Sequence, residues 1–316
     1  MTIPSGARVR RRRLRPSGLA WRRARWGYVF IAPWIIGFLA FTLLPMIATL
    51  IFSFTNVNLS QEEPLTFVGL RNYQTLLGDK QAWDALGVTL KFALFALPVG
   101  VGLPFVVALL LHSRHLRMAS AFRVLFFLPY VVPFIAGVLI WGGMLSSDSG
   151  WIDEFLRFLG VEHPPDWLQD PTWIYPGLVI MGIWGIGAGM IVYLAGLQGI
   201  PSDLYEAARI DGAGAWASLR HVTLPMISPV IFYTLVLGIV EVLQYFLVPL
   251  VLKNGTGEPG GTTLFFNLFL YKNFFTFQNM SYGATLAWLL FALSLVVTLI
   301  LFRTSRRWVY YAGDAR

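Results

Sequence analysis

Three polar side chains, Glu241, Gln244 and Tyr245, stand inside one of the longest apolar runs of the chain. A carboxylate, an amide and a phenol together supply acceptors, donors and an aromatic surface, which suits a hydroxyl-rich ligand. On a helix, offsets of three and four residues put the set on one face. Glu241 is the one acid in the middle of such a run. In a bilayer, a bare carboxylate at that depth costs several kcal/mol and must face protein, water or ligand. Two readings stay open, a polar lock between helices and a ligand contact. Tyr130 and Phe134 form another i, i+4 pair in a run kinked by Pro129 and Pro133. Other chemistries are missing. No G-x-x-x-x-G-K-[ST] phosphate loop is present, so this chain does not itself hydrolyse ATP, and no serine-nucleophile signature occurs. Cysteine is absent, which excludes thiol catalysis and disulfides. His112, His115, His163 and His221 lie at loops or run ends with no carboxylate or cysteine cluster, and read as solvated bases rather than metal ligands.

The elements that position these residues are membrane helices. Of 316 residues, 56% are hydrophobic and only 13% charged, with a mean hydropathy of +0.64. A soluble domain would need more charge to cover its surface, so the chain reads as an all-α polytopic membrane protein. Six runs reach the ~20 apolar residues a crossing helix needs: 28–54, 87–111, 124–145, 173–197, 224–252 and 283–302. The first is far longer than a signal-peptide core and is read as an uncleaved span. The run 263–271 is too short to cross and is expected to form an interfacial or outer-face helix. Prolines kink several spans or stand at their ends. In the fourth span, Gly182, Gly185, Gly187 and Gly189 suit either close packing through Gly185-x-x-x-Gly189 or a backbone-lined pathway. No internal repeat is evident.

Charge orients the helices. The net charge is +8, and nine arginines fall between Arg8 and Arg25, directly before the first span. With the N-terminus inside, inner segments hold 18 of the 24 basic residues and outer segments with nearby span ends hold 6. That asymmetry places both termini and the loop 205–223 in the cytoplasm. It also assigns the basic charge to membrane orientation and not to nucleic acid. The loop after Leu145 is correspondingly acidic, with Asp148, Asp153, Glu154, Glu162, Asp166 and Asp170.

The segment 205–229, YEAARIDGAGAWASLRHVTLPMISP, is a polar, helix-favouring stretch lodged between two apolar runs. Pro201, Ser202 and Asp203 supply a helix start, with Ser202 as N-cap. Gly212 can close the helix in the left-handed conformation and let a second short helix leave at an angle. Ala207 and Ala208 leave a low-profile surface, while Glu206 and Asp211 can pair with donors on a partner. An ordinary amphipathic connector is the plain alternative to a docking element.

Glu206, Ala207, Ala208, Asp211, Gly212, Ala213, Leu224 and Pro225 resemble the EAA loop of bacterial ABC importer permeases. The resemblance covers nearly the whole chain after the arginine tail and is closest to the longer permease of the maltose and glycerol-phosphate group. It is carried also by FVGLRNYQTLL (67–77), FRVLFFLPYVVP (122–133), WLQDPT (167–172), YLAGLQGIPSDLYEAARIDGA (193–213) and TLPMISP (223–229). Leu219 and Val222 depart mildly from the usual phenylalanine and isoleucine. Lys253-Asn254-Gly255-Thr256-Gly257 replaces a more common threonine followed by Gly-Gly-Pro at the outer mouth.

The resemblance implies a type I importer fold with a basic tail (1–27), a first transmembrane helix (28–54), an outer loop (55–84), a transmembrane core (85–303) and a C-terminal tail (304–316). Within the core, the coupling loop (201–225) seats in a groove of the ATPase. It implies a multi-pass protein of the bacterial inner membrane that binds no cofactor itself, ATP and Mg being held by the partner ATPase. Its partners would be a second permease in a heterodimer, an ATPase dimer, an extracytoplasmic solute-binding protein and the lipid bilayer. A carbohydrate or polyol would pass along Tyr130, Phe134, Gly182, Gly185, Glu241, Val242, Gln244 and Tyr245. The alternatives are an ion-coupled secondary transporter using Glu241 and an intramembrane enzyme; neither needs the 205–229 loop.

Overall fold

The computed structural model describes residues 18–60, 64–113 and 116–310. The tail arginines up to Arg15, together with Arg114, His115 and Arg316, lie outside the described residues. The described residues form helices joined by loops, with one isolated antiparallel bridge, Thr55 to Phe67. Two units divide the chain, Met1–Ile51 and Phe52–Arg316.

The described part of the first unit is one long helix: α1 (Gly18–Phe38), a π-helical turn (Leu39–Leu43) and α2 (Leu44–Phe52), which carries over the unit boundary by one residue. Its apolar stretch is Arg25–Phe52, and the window that qualifies it as a span has no buried residue. A helix apolar all round is suited to lipid or to other membrane helices. The π turn has a cause in the sequence. Proline at 45 cannot donate to the preceding turn and its ring crowds the carbonyl four residues back. Leu44 N–H therefore bonds Leu39 O, five residues away, and the widened turn absorbs the proline. The same device recurs before Pro225, where Leu224 N–H bonds Leu219 O.

In the second unit, α3 (Arg71–Gly78) leads into α4 (Lys80–His112), the central helix. The α4 helix starts seven residues before the apolar run at 87, because Asp79 caps it. Asp79 Oδ1 accepts from the backbone N–H groups of Gln81 and Ala82, and Oδ2 accepts from Tyr282 OH at 2.5 Å. A carboxylate satisfying orphan donors outweighs the polar character of 80–84.

Two expected spans are broken. The third consists of α5 (Ala119–Phe127), a 3-10 turn (Leu128–Val131) and α6 (Phe134–Met144), with a 99° bend. The fourth consists of α8 (Ile174–Ile183) and α9 (Gly187–Gln198), bent by 56°. Between them, α7 (Trp151–Phe158) is a short amphipathic helix. After α9 come α10 (Ser202–Ile210), α11 (Ala215–Ser218), a π turn (Leu219–Thr223) and α12 (Leu224–Leu243). The fifth span thus begins near Ala215, not at 224, and continues through α13 (Leu247–Lys253) after a break at 244–246. The last elements are α14 (Phe266–Tyr271), a π turn (Lys272–Thr276) and the final span α15 (Met280–Ser305). Four single segments are long and apolar enough to cross a membrane, and the two bent pairs bring the number to six.

α4 packs on α8, α9 and α12. Glycine permits the closest crossing: a Cβ on Gly187 would stand 2.2 Å from the Phe126 carbonyl oxygen, so the third and fourth spans meet backbone to backbone. A Cβ on Gly189 would meet Pro104 at 3.2 Å, whereas one on Gly185 would meet only its own Gly182 carbonyl. The expected Gly185-x-x-x-Gly189 packing therefore becomes a Gly187/Gly189 contact, with Gly185 left in the break.

α14 is too short to cross, as expected, but Phe265, Phe266, Leu268 and Phe269 are buried among the spans, and Phe266 N–H donates to Thr89 Oγ1 at 2.9 Å. These four apolar side chains and the hydroxyl of Thr89 draw the helix and its N-cap residue into the packed core.

Candidate functional site

The segment 201–223 leaves the bundle and returns to it. α10 begins on Pro201 at the N-cap position, and Ser202 Oγ bonds Asp203 Oδ1 rather than the helix backbone, so Ser202 is not the cap. Its far end is closed as expected. Gly212 takes φ +77°, its N–H bonds Arg209 O, and Ala213 N–H bonds Ala208 O at 2.8 Å. This paired closure is the Schellman arrangement, whose hydrophobic contact falls on residues 208 and 213. Ala208 and Ala213 are accordingly half-buried, while Glu206, Ala207 and Asp211 are exposed. The two alanines at 207 and 208 thus divide their work, one facing out and one closing the turn.

A docking stripe runs along the outer face of α10. Asp203, Glu206, Ala207 and Ile210 follow one another at helical spacing and are all exposed, Ile210 by 87%. Trp216, on the following short helix, is 72% exposed. Sequence reasoning passed over both large apolar residues. The signal was available in Ile210, an aliphatic at i+7 from Asp203 and so on the polar stripe of the helix. The inner face is anchored: Tyr205 and Val222 pack on the cluster of Leu111, Tyr193, Leu197 and Ile227, and Tyr205 OH lies 3.1 Å from Thr223 Oγ1. Leu224 and Pro225 are not on the projecting surface. Both are half-buried within the helix that carries it, where Ser228 Oγ donates to Pro225 O and accepts from Tyr310 N–H.

The eight residues grouped along the bundle divide between exposed positions and, for Val242 and Tyr245, inward-facing ones. The α12 helix ends at Gln244, so Glu241, Gln244 and Tyr245 do not share a face. Glu241 and Gln244 are exposed. Tyr245 turns inward, its ring 4.9 Å from Phe92 and 5.0 Å from Phe265, and Val242 packs on the same cluster. Gln244 gives its carbonyl to Asn267 Nδ2. Tyr130 and Phe134 do not share one helix, because the bend at Val132–Pro133 falls between them; the Tyr130 ring lies tilted against Phe127 with centroids 5.5 Å apart. Both are exposed, as are Gly182 and Gly185 at the break of the fourth span. The helix periodicity assumed for the set of three and for the pair failed at a helix end and at a proline.

Two hollows accompany the broken spans. One, of about 550 Å³, lies between the third and fourth spans and is lined by apolar residues that include Phe126, Pro129, Trp141 and Trp184. The other, of about 440 Å³, is polar and lies at the end of α6 and α13. There Lys253 Nζ donates to Gln169 Oε1 at 2.9 Å and Ser147 Oγ to Asp166 Oδ1 at 2.6 Å. The acids of this loop are therefore partly structural: Asp153 is buried and accepts from Trp167 Nε1 at 2.8 Å.

Known proteins resemble this chain over most of its length. A permease of Bacillus subtilis, the probable ABC transporter permease protein YesP, is 34% identical over 287 residues, covering 90% of this chain and 92% of its own length. The trehalose/maltose transport system permease protein MalF of Thermococcus litoralis is 33% identical over 292 residues, 92% of this chain and 97% of MalF. The lactose transport system permease protein LacF of Rhizobium radiobacter is 32% identical over 283 residues, 89% and 94% of the two chains. Among solved structures, a chain of a bacterial alginate ABC transporter superposes with a TM-score of 0.75 at 24% identity, covering 93% of this chain and 98% of that one, and shares its fold. The family described as binding-protein-dependent transport system inner membrane component matches residues 87–311. With most of the chain matched, and with relatives about a third identical over nearly their full lengths, the chain belongs to that family, the non-catalytic, multi-pass permease components of ABC importers.

Proposed function

We propose that this permease carries a carbohydrate or related polyol into the cytoplasm, with its α10 stripe seated on a separate ATPase subunit. The exposed run Asp203, Glu206, Ala207 and Ile210, held from behind by Tyr205, carries the coupling half of this reading. A short helix with small, acidic and single apolar side chains, fixed at both ends, suits a groove on a partner and can transmit its displacement. The ATPase dimer would hold ATP and Mg, so closure of that dimer would move α10 and switch the bundle between inward-facing and outward-facing states. The 18-to-6 asymmetry of basic residues supports a cytoplasmic position for both termini and for α10.

The substrate class rests on kinship, since the relatives named above are designated for lactose and for trehalose/maltose. Family membership supersedes the ion-coupled alternative. Glu241 then has another part. Exposed on an apolar span, it finds no lock within the described residues, and an acid at that depth requires a partner outside them. A second permease subunit or a solute path between the two subunits meets that need. A solute-binding protein on the opposite face would deliver the sugar.

Uptake by proteoliposomes holding the assembled complex tests this. Labelled di- and oligosaccharides should enter with ATP inside and the binding protein outside, and an amino acid should not. Glu241→Gln should lower uptake while assembly and ATPase activity survive. Saccharide-independent amino acid uptake would refute the substrate class, and unchanged uptake in the variant would remove Glu241 from the path.

A further inference from the structure

α7 carries a feature that transport does not use. At about 100° per residue, its surface divides into three sectors. Ile152, Asp153 and Leu156 face the bundle. Glu154 and Arg157 form an exposed charged flank, 3.8 Å apart. Trp151, Phe155, Phe158 and Leu159 make the third sector, wholly apolar and exposed by 78%, 61%, 84% and 61%. Four large apolar groups on one side of so short a helix are costly to leave in water, since each forfeits the gain of burial.

The helix is held with that side outward. The Asp153 carboxylate, 2% exposed, accepts from Trp167 Nε1 at 2.8 Å, and Trp167 packs edge-on to Trp173 at the start of the fourth span. On its other side α7 is tied closely to the third span. Only 146–150 separate it from Leu145, a reach of at most about 22 Å even if extended. That stretch is folded back: Gly150 N–H bonds Ser146 O at 2.8 Å, and a Cβ on Gly150 would stand 2.3 Å from the same oxygen. Both neighbours of α7 in the chain are thus ends of membrane-crossing segments, so α7 lies at the level where the bilayer ends.

We propose that α7 is an interfacial anchor, its Trp151–Phe155–Phe158–Leu159 sector seated in the headgroup–acyl boundary of the bilayer with Glu154 and Arg157 toward water. Tryptophan and phenylalanine on one side and charges on the other are what that boundary selects. The anchor fixes the depth of the end of α6 and of the start of α8, the two ends between which it is strung. The inference needs only that the flanking helices cross the membrane; it is independent of substrate and of the coupling surface.

The absence of cysteine makes the test direct. Single substitutions Phe155→Cys, Phe158→Cys and Glu154→Cys, all at exposed positions, are spin-labelled in the assembled complex in phosphatidylethanolamine/phosphatidylglycerol nanodiscs. Collision with oxygen, which partitions into lipid, is compared with collision with an aqueous nickel chelate. The oxygen-to-nickel ratio should be several-fold higher at 155 and 158 than at 154, with or without the binding protein. Equal, water-like ratios at the three positions would overturn the proposal. So would protection of 155 and 158 from both relaxants that appears only when the binding protein is added, which would make the sector a protein-docking surface.

Discussion

Replacing Gly187 by alanine tests the backbone crossing that joins the two broken spans. The new Cβ would stand 2.2 Å from Phe126 O, 2.8 Å from Phe126 C and 2.9 Å from Phe127 Cα. Carbon–oxygen contacts settle at about 3.3–3.6 Å, so the two helices must part by roughly 1 Å. The obstacle is backbone on both sides, and no rotamer change relieves it. Overpacking of this kind costs about 1–3 kcal/mol, and a site without side-chain relief belongs near 3. Gly187 is the first residue of α9, so alanine regains at most about 0.8–1 kcal/mol of helix propensity over glycine, which leaves a loss of at least about 2. At about 2–4 °C per kcal/mol for a unit of this size, thermal unfolding should fall by roughly 4–8 °C. Gly182→Ala is the control, because its Cβ would meet nothing within 4 Å. Unfolding followed by thiol-free fluorescence in nanodiscs reads both. A Gly187→Ala protein melting at or above Gly182→Ala would refute the crossing.

Tyr282→Phe removes the hydrogen bond to the Asp79 carboxylate that ties α15 to the start of α4; bonds to charged groups are worth about 1.5–3 kcal/mol, and the loss should appear as a lower melting temperature. Gly212→Ala must hold a Cβ at φ +77°, at a cost of about 1–2 kcal/mol, and should slow uptake more than it lowers stability, as measured by transport and melting on one preparation. Gly212→Pro should abolish uptake with the protein still inserted, because it also removes the N–H that bonds Arg209 O. Reporter fusions at Ser120 and after Arg307 should read cytoplasm, and those near Thr75 and Asp153 the outer side; an outer reading for 205–223 would end the coupling account.

Much of this was legible in the residues. Apolar runs located the six spans, and Gly212 marked the end of α10, since both signals are local. Proline foretold the break in the third span but not its 99° angle, which depends on how α6 meets Trp184 and Leu252. The helix start at Lys80 was obscured because a cap, not hydropathy, decides it. What failed was the assumption that spacing persists through a span: Tyr245 leaves the face of Glu241 where α12 stops, and aromatic packing on Phe92 takes it inward. The part Ala208 plays in closing the turn was hidden, because its partner there, Ala213, lies beyond the helix and is visible only once the chain has closed.

The central claim is that the exposed stripe of α10 is where this permease meets its ATPase. With no native cysteine, a benzophenone attached to Ile210→Cys samples whatever covers that residue in the assembled complex. Irradiation should join the permease to the ATPase subunit from position 210, while the same probe at Leu77→Cys, beyond the opposite end of the α4 helix, should not. An intact, transport-competent complex giving no ATPase adduct from 210, or an equal adduct from 77, would contradict the account.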